Sequence, residues 1–289
     1  MKNIIYLIFL FTFLISTILL SRKINRLRIL YIVNRIDHKI RYPKEDNFFS
    51  VSFKDIVICP KKSLNIGFFG QSNHGNIIRR EKNIDISNKK IYNYDWRLGV
   101  CSKYKEPLAG VGGRSAHGHI SKDTIYFLQK NYNYLDDLII FGYSKGNSTA
   151  NDWANGVPSK KLDIILKNLQ KNNMRLDFVF WHQGESEIKN QNKFTLERYE
   201  ENIQNIFKKF LRNSSETKVG MTLVSLCNSK SNKALLTSQK SIIEKSKRIF
   251  FTLNTDVLGS NYRYDGCHFN SLGAAKIGEK YADLVNKLK

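Results

Sequence analysis

Residues Asn65-Ile-Gly-Phe-Phe-Gly-Gln-Ser-Asn-His-Gly-Asn76 decide the reading of this chain. An apolar strand, Leu64 to Phe69, runs into a turn made of Gly70, Gln71, Ser72, Asn73 and Gly75. A serine just past the end of a buried strand, with glycines on either side, can be held on a tight turn facing a crevice. In open α/β sheets ligands bind in that crevice, outside the carboxyl ends of the strands. Ser72 is therefore the candidate nucleophile. Taken alone, Gly-Gln-Ser-Asn reads more readily as a polar turn between strand and helix. The case needs a base, an acid and oxyanion donors from elsewhere.

Outward from Ser72, strand-like and helix-like runs alternate to the end of the chain. Strands are predicted at Leu64–Phe69, Leu138–Phe141, Phe178–Trp181, Val219–Leu226 and Ile249–Leu253. Between them Asp123–Tyr132, Lys160–Asn172, Leu196–Leu211, Ala234–Lys247 and Leu272–Leu288 carry apolar residues at helical spacing. Such alternation predicts an α/β domain with a mostly parallel sheet and helices on both faces. There is no internal repeat and only four prolines, so one domain over residues 63–289 is the economical division. Arg79 to Leu108 is the least periodic stretch and is expected to decorate the active face as an insertion.

The N-terminal part reads differently. Ile4 to Leu20 is uncharged and almost wholly apolar, seventeen residues at the short end of what crosses a bilayer as a helix. Ser21-Arg-Lys follows where a cleaved signal peptide would show small residues. Residues 1–21 are therefore expected to be an uncleaved, single-pass transmembrane anchor. Residues 22–62 form a basic connector, most simply the continued anchor helix until Pro43 ends it. A helix lying on anionic headgroups is the other reading. Arg22, Lys23, Arg26 and Arg28 outnumber Lys2, which by the positive-inside rule puts the domain in the cytoplasm. The basic bias of the whole chain weakens that count, and the extracytoplasmic side stays open.

Lys and Arg outnumber Asp and Glu by 47 to 25, a formal charge of +22. That charge attracts polyanions, but the lysines are spread along the chain and no nucleic-acid motif accompanies them. No specific nucleic-acid partner is expected. Hydrophobic residues make up 42% of the chain, enough for a sizeable core, which excludes wholesale disorder. Cys59, Cys101, Cys227 and Cys267 show no CxxC pair, which disfavours a zinc ribbon or a thioredoxin-like site. They are either buried thiols or two disulfides of undetermined connectivity.

Three further segments sit where chemistry belongs. Gly142-Tyr-Ser-Lys-Gly146 follows the strand Leu138–Phe141, and Gly146 can offer its backbone N–H to a ligand. Trp181-His-Gln-Gly-Glu185 leaves the next strand through a glycine turn, carrying a carboxamide and a carboxylate. Asp265 and His268, three residues apart, precede the last helix, so one loop carries both base and acid. A serine hydroxyl needs an imidazole to take its proton. The imidazole needs a carboxylate on its other nitrogen, and the tetrahedral oxyanion needs preorganised donors. Ser72, His268 and Asp265 fill the first three roles. The N–H of Ser72, the N–H of Gly146 and the amide of Gln183 are the candidate donors.

In this order the segments resemble the SGNH (GDSL-like) hydrolase superfamily, and within it the sialate O-acetylesterase and carbohydrate esterase branch. The resemblance rests on Gly70-Gln-Ser-Asn73, Gly146-Asn-Ser-Thr149 with Trp153, Trp181-His-Gln-Gly-Glu185 and Asp265-Gly-Cys-His268-Phe. Glu106-Pro-Leu108 with Gly110–Gly113 resembles the substrate-side segment. The resemblance implies a three-layer α/β/α fold and removal of acetyl groups from sugar hydroxyls through an acyl-serine, without metal or cofactor. It also implies an acetylated carbohydrate as partner, Ser72 as nucleophile, His268 as base, Asp265 as its partner, and Gly146 and Gln183 in the oxyanion hole. Two positions depart from the family pattern: Glu187 stands where aspartate is frequent, and Asn147 replaces a second glycine. Glu185 reads better as a brace between loops than as a triad member.

His117 and His119 lack a third ligand nearby and read as a polar loop rather than a metal site. His74 and His182 are substrate contacts or loop residues. Tyr92, Tyr94 and Trp96 either stack on a sugar or pack internally, and Cys267 is a buried neighbour of His268. The leading function is carbohydrate O-acetyl hydrolysis. Transfer of the acyl group to a sugar hydroxyl uses the same groups, and a non-catalytic glycan binder would have no need of all three.

Overall fold

A strand with no polar face has to be covered on both sides, and Leu64–Gly70 is buried at every position. A computed structural model of the chain describes residues 29–36 and 51–289, apart from 82, 88, 115–116, 135 and 190–197. The strands are β1 (Ile56–Val57), β2 (Leu64–Gly70), β3 (Ile91–Asp95), β4 (Val100–Lys103), β5 (Leu138–Ser144), β6 (Phe178–His182), β7 (Lys218–Leu223) and β8 (Ile249–Asn254). They form one sheet in the order β1-β4-β3-β5-β2-β6-β7-β8. From β3 to β8 across that order, β4 and β1 aside, every pairing is parallel. β4 runs antiparallel to both β3 and β1.

The helices are α1 (residues 29–36), α2 (Ser121–Tyr132), α3 (Ala150–Asn155), α4 (Val157–Lys171), α5 (Glu185–Lys189), α6 (Tyr199–Asn213), α7 (Lys233–Glu244) and α8 (Ser271–Leu288). Alternate residues of β2 serve opposite faces of the sheet. Phe69 joins Trp153, Leu162, Ile165, Phe207 and Phe210 from α3, α4 and α6. Phe68 joins Ile125, Leu128, Ile277 and Tyr281 from α2 and α8. The result is a three-layer α/β/α sandwich. α2 and α8 approach closely at Gly278, where a Cβ would come within 2.4 Å of the Asp123 side chain.

The stretch read as an insertion, Arg79 to Leu108, instead supplies β3 and β4 and widens the sheet. Its polar residues hid the strands: Asn93 is buried but donates to the Ile140 carbonyl and accepts from the Ala109 N–H. Tyr94 and Trp96 are core residues, with the Trp96 indole N–H shared between the Gly110 and Gly142 carbonyls. β7 stops at Leu223 rather than Leu226, because the Asp256 carboxylate takes the N–H groups of Ser225 and Leu226 at 2.7 Å each. Part of the stretch read as connector also enters the fold. β1 pairs with β4, Cys59 is disulfide-bonded to Cys101, and Tyr31 of α1 packs against Leu98 and Val100. The anchor predicted over residues 1–21 lies outside the described residues. Among those described, no helix is long and apolar enough to cross a membrane.

Candidate active site

Strand register brings the predicted segments together. Gly70, the last residue of β2, is paired with Ser144 of β5 and His182 of β6. Three loops therefore leave the sheet side by side: Ser72 two residues beyond Gly70, Gly146 two beyond Ser144, and Gln183 one beyond His182. This is also where the strand order reverses, with β5 on one side of β2 and β6 on the other, the switch point at which such sheets bind ligands. Gly70 has φ 144°, and a Cβ there would lie 2.0 Å from the His182 carbonyl oxygen, so only glycine lets β2 and β6 end together.

Beyond Gly70 the chain folds into a single 3-10 turn, Ser72–His74. The Ser72 Oγ lies 3.0 Å from His268 Nε2, across 196 residues of sequence. His268 Nδ1 lies 2.7 Å from Asp265 Oδ2. Because a carboxylate can only accept, Nδ1 carries the proton and leaves Nε2 free to accept from Ser72. Asp265 Oδ1 also accepts the backbone N–H groups of His268 and Cys267 at 2.7 and 3.1 Å. Partial burial pushes the Asp265 carboxyl up, but these donors outweigh it and hold it below its ordinary value. The N–H groups of Ser72 and Gly146 have no acceptor among the described residues. Gly146 is exposed, and a Cβ there would meet open space.

Gln183 is placed beside them but its amide is engaged. Nε2 donates to Glu187 Oε1 at 2.9 Å and to the Ser148 carbonyl at 3.2 Å, while Oε1 has no partner among the described residues. Glu187 also accepts the N–H of Ala150 at 2.6 Å, tying the Gly146 loop to the Gln183 loop. Burial raises its carboxyl.

Glu185 is fully buried and faces Asn73 and His182 rather than His268. Its Oε1 accepts from Asn73 Nδ2 at 2.7 Å and from His182 Nε2 at 3.1 Å. Burial works against its charge, yet His182 and Asn73 prevail and pull its pKa to about 2. Asn73 is the hub that sequence reading quoted but gave no task. Besides Glu185, its Nδ2 donates to the Cys267 carbonyl at 3.3 Å, and its Oδ1 accepts the Phe269 N–H at 3.2 Å. The residue after Ser72 thus clamps the loop that carries His268. Its place beside Ser72 was the only local signal; its partners are 112 to 196 residues away.

His74 and His182 are wholly buried, in the 3-10 turn and at the end of β6, rather than substrate contacts or exposed loop residues, while His119 does lie in a loop. His74 is wholly buried, donates from Nδ1 to the Phe69 carbonyl, and accepts at Nε2 from the Tyr281 hydroxyl. Burial, with His182 and His119 nearby, holds it well below its ordinary value and so neutral. His119 is buried against Ser121 and the His74 carbonyl. The cysteines form two disulfides, Cys59–Cys101 and Cys227–Cys267. At the mouth, the Tyr264 ring stacks on His268 with centroids 5.8 Å apart, and the Arg79 guanidinium lies 4.2 Å from the Tyr264 centroid.

A doubly wound sheet with a serine, an imidazole and a carboxylate in hydrogen-bonded series at its switch point defines a hydrolase-like α/β protein. The family model for "Carbohydrate esterase, sialic acid-specific acetylesterase" matches residues 130–287, more than half of the chain. The chain belongs to this family and is a carboxylic ester hydrolase. The match spans the Gly146, Gln183 and Asp265–His268 segments and begins after Ser72.

Solved structures repeat the fold. A protein from Arabidopsis thaliana superposes with a TM-score of 0.60 at 13% identity, over 79% of this chain and 100% of that one. A carbohydrate acetylesterase from Xanthomonas citri gives 0.53 at 12% identity, over 78% of this chain and 56% of that one. A protein from Parabacteroides merdae designated a GDSL-like lipase gives 0.51 at 13% identity, over 80% and 99%. At such identities the likeness is one of fold. No curated protein matches the sequence.

Proposed function

We propose that this protein removes O-acetyl groups from a carbohydrate through an acyl-serine intermediate. His268 Nε2 takes the Ser72 proton as Oγ attacks the acetyl carbonyl, and Asp265 stabilises the imidazolium that forms. The oxyanion is met by the free N–H groups of Ser72 and Gly146. Gln183 joins them by exchanging its longer bond, to the Ser148 carbonyl, for the oxyanion. Collapse returns the proton to the sugar oxygen, and water then releases acetate by the same steps in reverse. The observation that carries the proposal is the series Ser72 Oγ–His268 Nε2–Asp265, at 3.0 and 2.7 Å.

The family description and the mouth of the site together favour an acidic sugar, in keeping with a sialate ester. Arg79 and Arg114 are exposed near Tyr264 without an acidic partner among the described residues. For location we propose a single-pass anchor over residues 1–21 with the domain on the extracytoplasmic side. Two disulfides support an oxidising compartment.

Ser72→Ala tests the reaction. The purified variant should keep its circular dichroism and lose acetate release from O-acetylated sialic acid and from a generic acetyl ester. Activity near the wild-type rate would sink the proposal. Running the wild type with an acceptor glycan separates hydrolysis, which yields only acetate, from acetyl transfer.

A further inference from the structure

The loop carrying Asp265 and His268 is short, partly exposed and without regular structure, with side-chain exposures of 42% and 29% for the two residues. Its inner side is held by Asn73, and by Arg263, which donates to the Cys267 carbonyl and, at 3.0 Å, to the Leu258 and Thr255 carbonyls. Its outer side is held by a second loop, Cys227 to Lys230. Cys227 is bonded to Cys267, which sits between Asp265 and His268 in sequence. The Asn228 N–H donates to the Gly266 carbonyl at 3.0 Å. Gly266 is the apex of the loop, with φ 78°.

This second loop has a rigid base. The Asp256 carboxylate fixes Ser225 and Leu226, and Cys227 and Lys230 exchange backbone hydrogen bonds at 3.0 and 3.1 Å. Asn228 and Ser229 then turn through φ of 52° and 62°, a conformation L-residues rarely adopt. The disulfide therefore joins two backbones, one anchored to the sheet and one bearing the base.

We propose that the Cys227–Cys267 disulfide is a positioning clip for the Asp265–His268 pair, so that esterase activity depends on its being oxidised. The inference rests on the acyl-serine reading of Ser72 and His268. With the clip closed, His268 Nε2 is held within hydrogen-bond reach of Ser72. A dithiol reductant opens it by two thiol–disulfide exchanges: the S–S bond breaks, the two sulfurs take up two electrons and two protons as thiols, and the reductant leaves as its own disulfide. The loop then keeps Asn73 and Arg263 but loses its outer hold, and the imidazole drifts from the serine. The enzyme would be active in an oxidising compartment and slow in a reducing one.

The protein supplies its own control. Cys59–Cys101 lies at the β1–β4 edge and closes a loop of nearly the same length, with sequence separations of 42 and 40. In the chain-entropy account the two bonds stabilise the fold by similar amounts. Only one of them touches the His268 loop.

The experiment compares two double variants, Cys227→Ala with Cys267→Ala, and Cys59→Ala with Cys101→Ala, by thermal midpoint and by kcat and KM on a generic acetyl ester. Both should lower the midpoint. The first should cut kcat about tenfold to a hundredfold, the usual effect of a misplacement of about 1 Å, with KM little changed. The second should leave kcat as it was. Equal kcat losses in both, or none in the first, would overturn the clip.

Should the first variant fail to fold, wild-type protein is titrated with dithiothreitol and its free thiols are mapped by alkylation and mass spectrometry. Activity should fall with the appearance of Cys227 and Cys267 thiols and return on reoxidation. Full activity with that pair reduced refutes the proposal. Ser72→Ala run alongside tells this failure from failure of the acyl-serine reading, which it alone would expose.

Discussion

Replacing Asn73 by alanine isolates the contribution of the clamp from that of the reacting groups. The substitution leaves Ser72, His268 and Asp265 in place and deletes three hydrogen bonds, to Glu185, to the Cys267 carbonyl and from the Phe269 N–H. A bond to an ionised partner contributes about 1.5–3 kcal/mol and a neutral one about 1 kcal/mol. The sum is about 3.5–5 kcal/mol, a large share of the usual stability of a domain. At about 2 °C per kcal/mol for a domain of this size, Tm should fall by about 7–10 °C. The loss should also reach kinetics. The Ser72 turn and the His268 loop would no longer share a side chain, and a slip of about 1 Å between them costs about a hundredfold in rate. Acetate release well below the new Tm should therefore show kcat down by one to two orders of magnitude with KM nearly unchanged. Scanning calorimetry gives the stability term on the same preparation. If kcat stays within about twofold while Tm falls as predicted, Asn73 is a structural residue only, and the clamp reasoning fails.

Two further outcomes are expected. Glu185 has its folded pKa depressed to about 2 from 4.5, so its contribution to stability is present above pH 4.5 and is lost as pH falls towards 2. Chemical denaturation across that window should show the wild type losing about 3 kcal/mol more than Glu185→Gln, and identical acid profiles would refute the assignment. Replacing Arg79 and Arg114 by alanine should raise KM for an O-acetylated sialic acid about tenfold while leaving hydrolysis of an uncharged acetyl ester unchanged. Equal effects on both esters would remove these arginines from substrate selection.

Much of the fold was legible because its strands and helices advertise themselves locally. β2, β5 and β6 are largely apolar runs buried at every residue, with single polar residues, Asn65, Ser144 and His182, at or near their ends, and the long helices show their period openly. β3 was not legible, since Asn93 and Asp95 interrupt its apolar pattern. Both are buried, and both are satisfied by partners no window contains or by a local ion pair, Asp95 with Arg97 at 2.9 Å. In the site, Ser72, His268 and Asp265 could be named because each sits in a short motif at a strand or helix boundary. Glu185 was read as a brace between loops, but its partners Asn73 and His182, the task of Asn73 and the engagement of the Gln183 amide could not be read.

The sequence by itself determined which chemical groups stand at the ends of which elements: a serine after β2, a glycine after β5, a carboxamide after β6, and an acid and base before the last helix. Such information is local, since strand and helix periods and turn chemistry are set within a few residues. Only the tertiary structure decided which of these groups meet. The register that matches Gly70 with both Ser144 and His182 sets three loops side by side. The pairing of Cys227 with Cys267 and the Asn73 clamp then fix the His268 loop against Ser72. Hydrogen bonds and disulfides are short-ranged in space but unconstrained in sequence, so they follow from the packing of the whole sheet and not from any stretch of the chain.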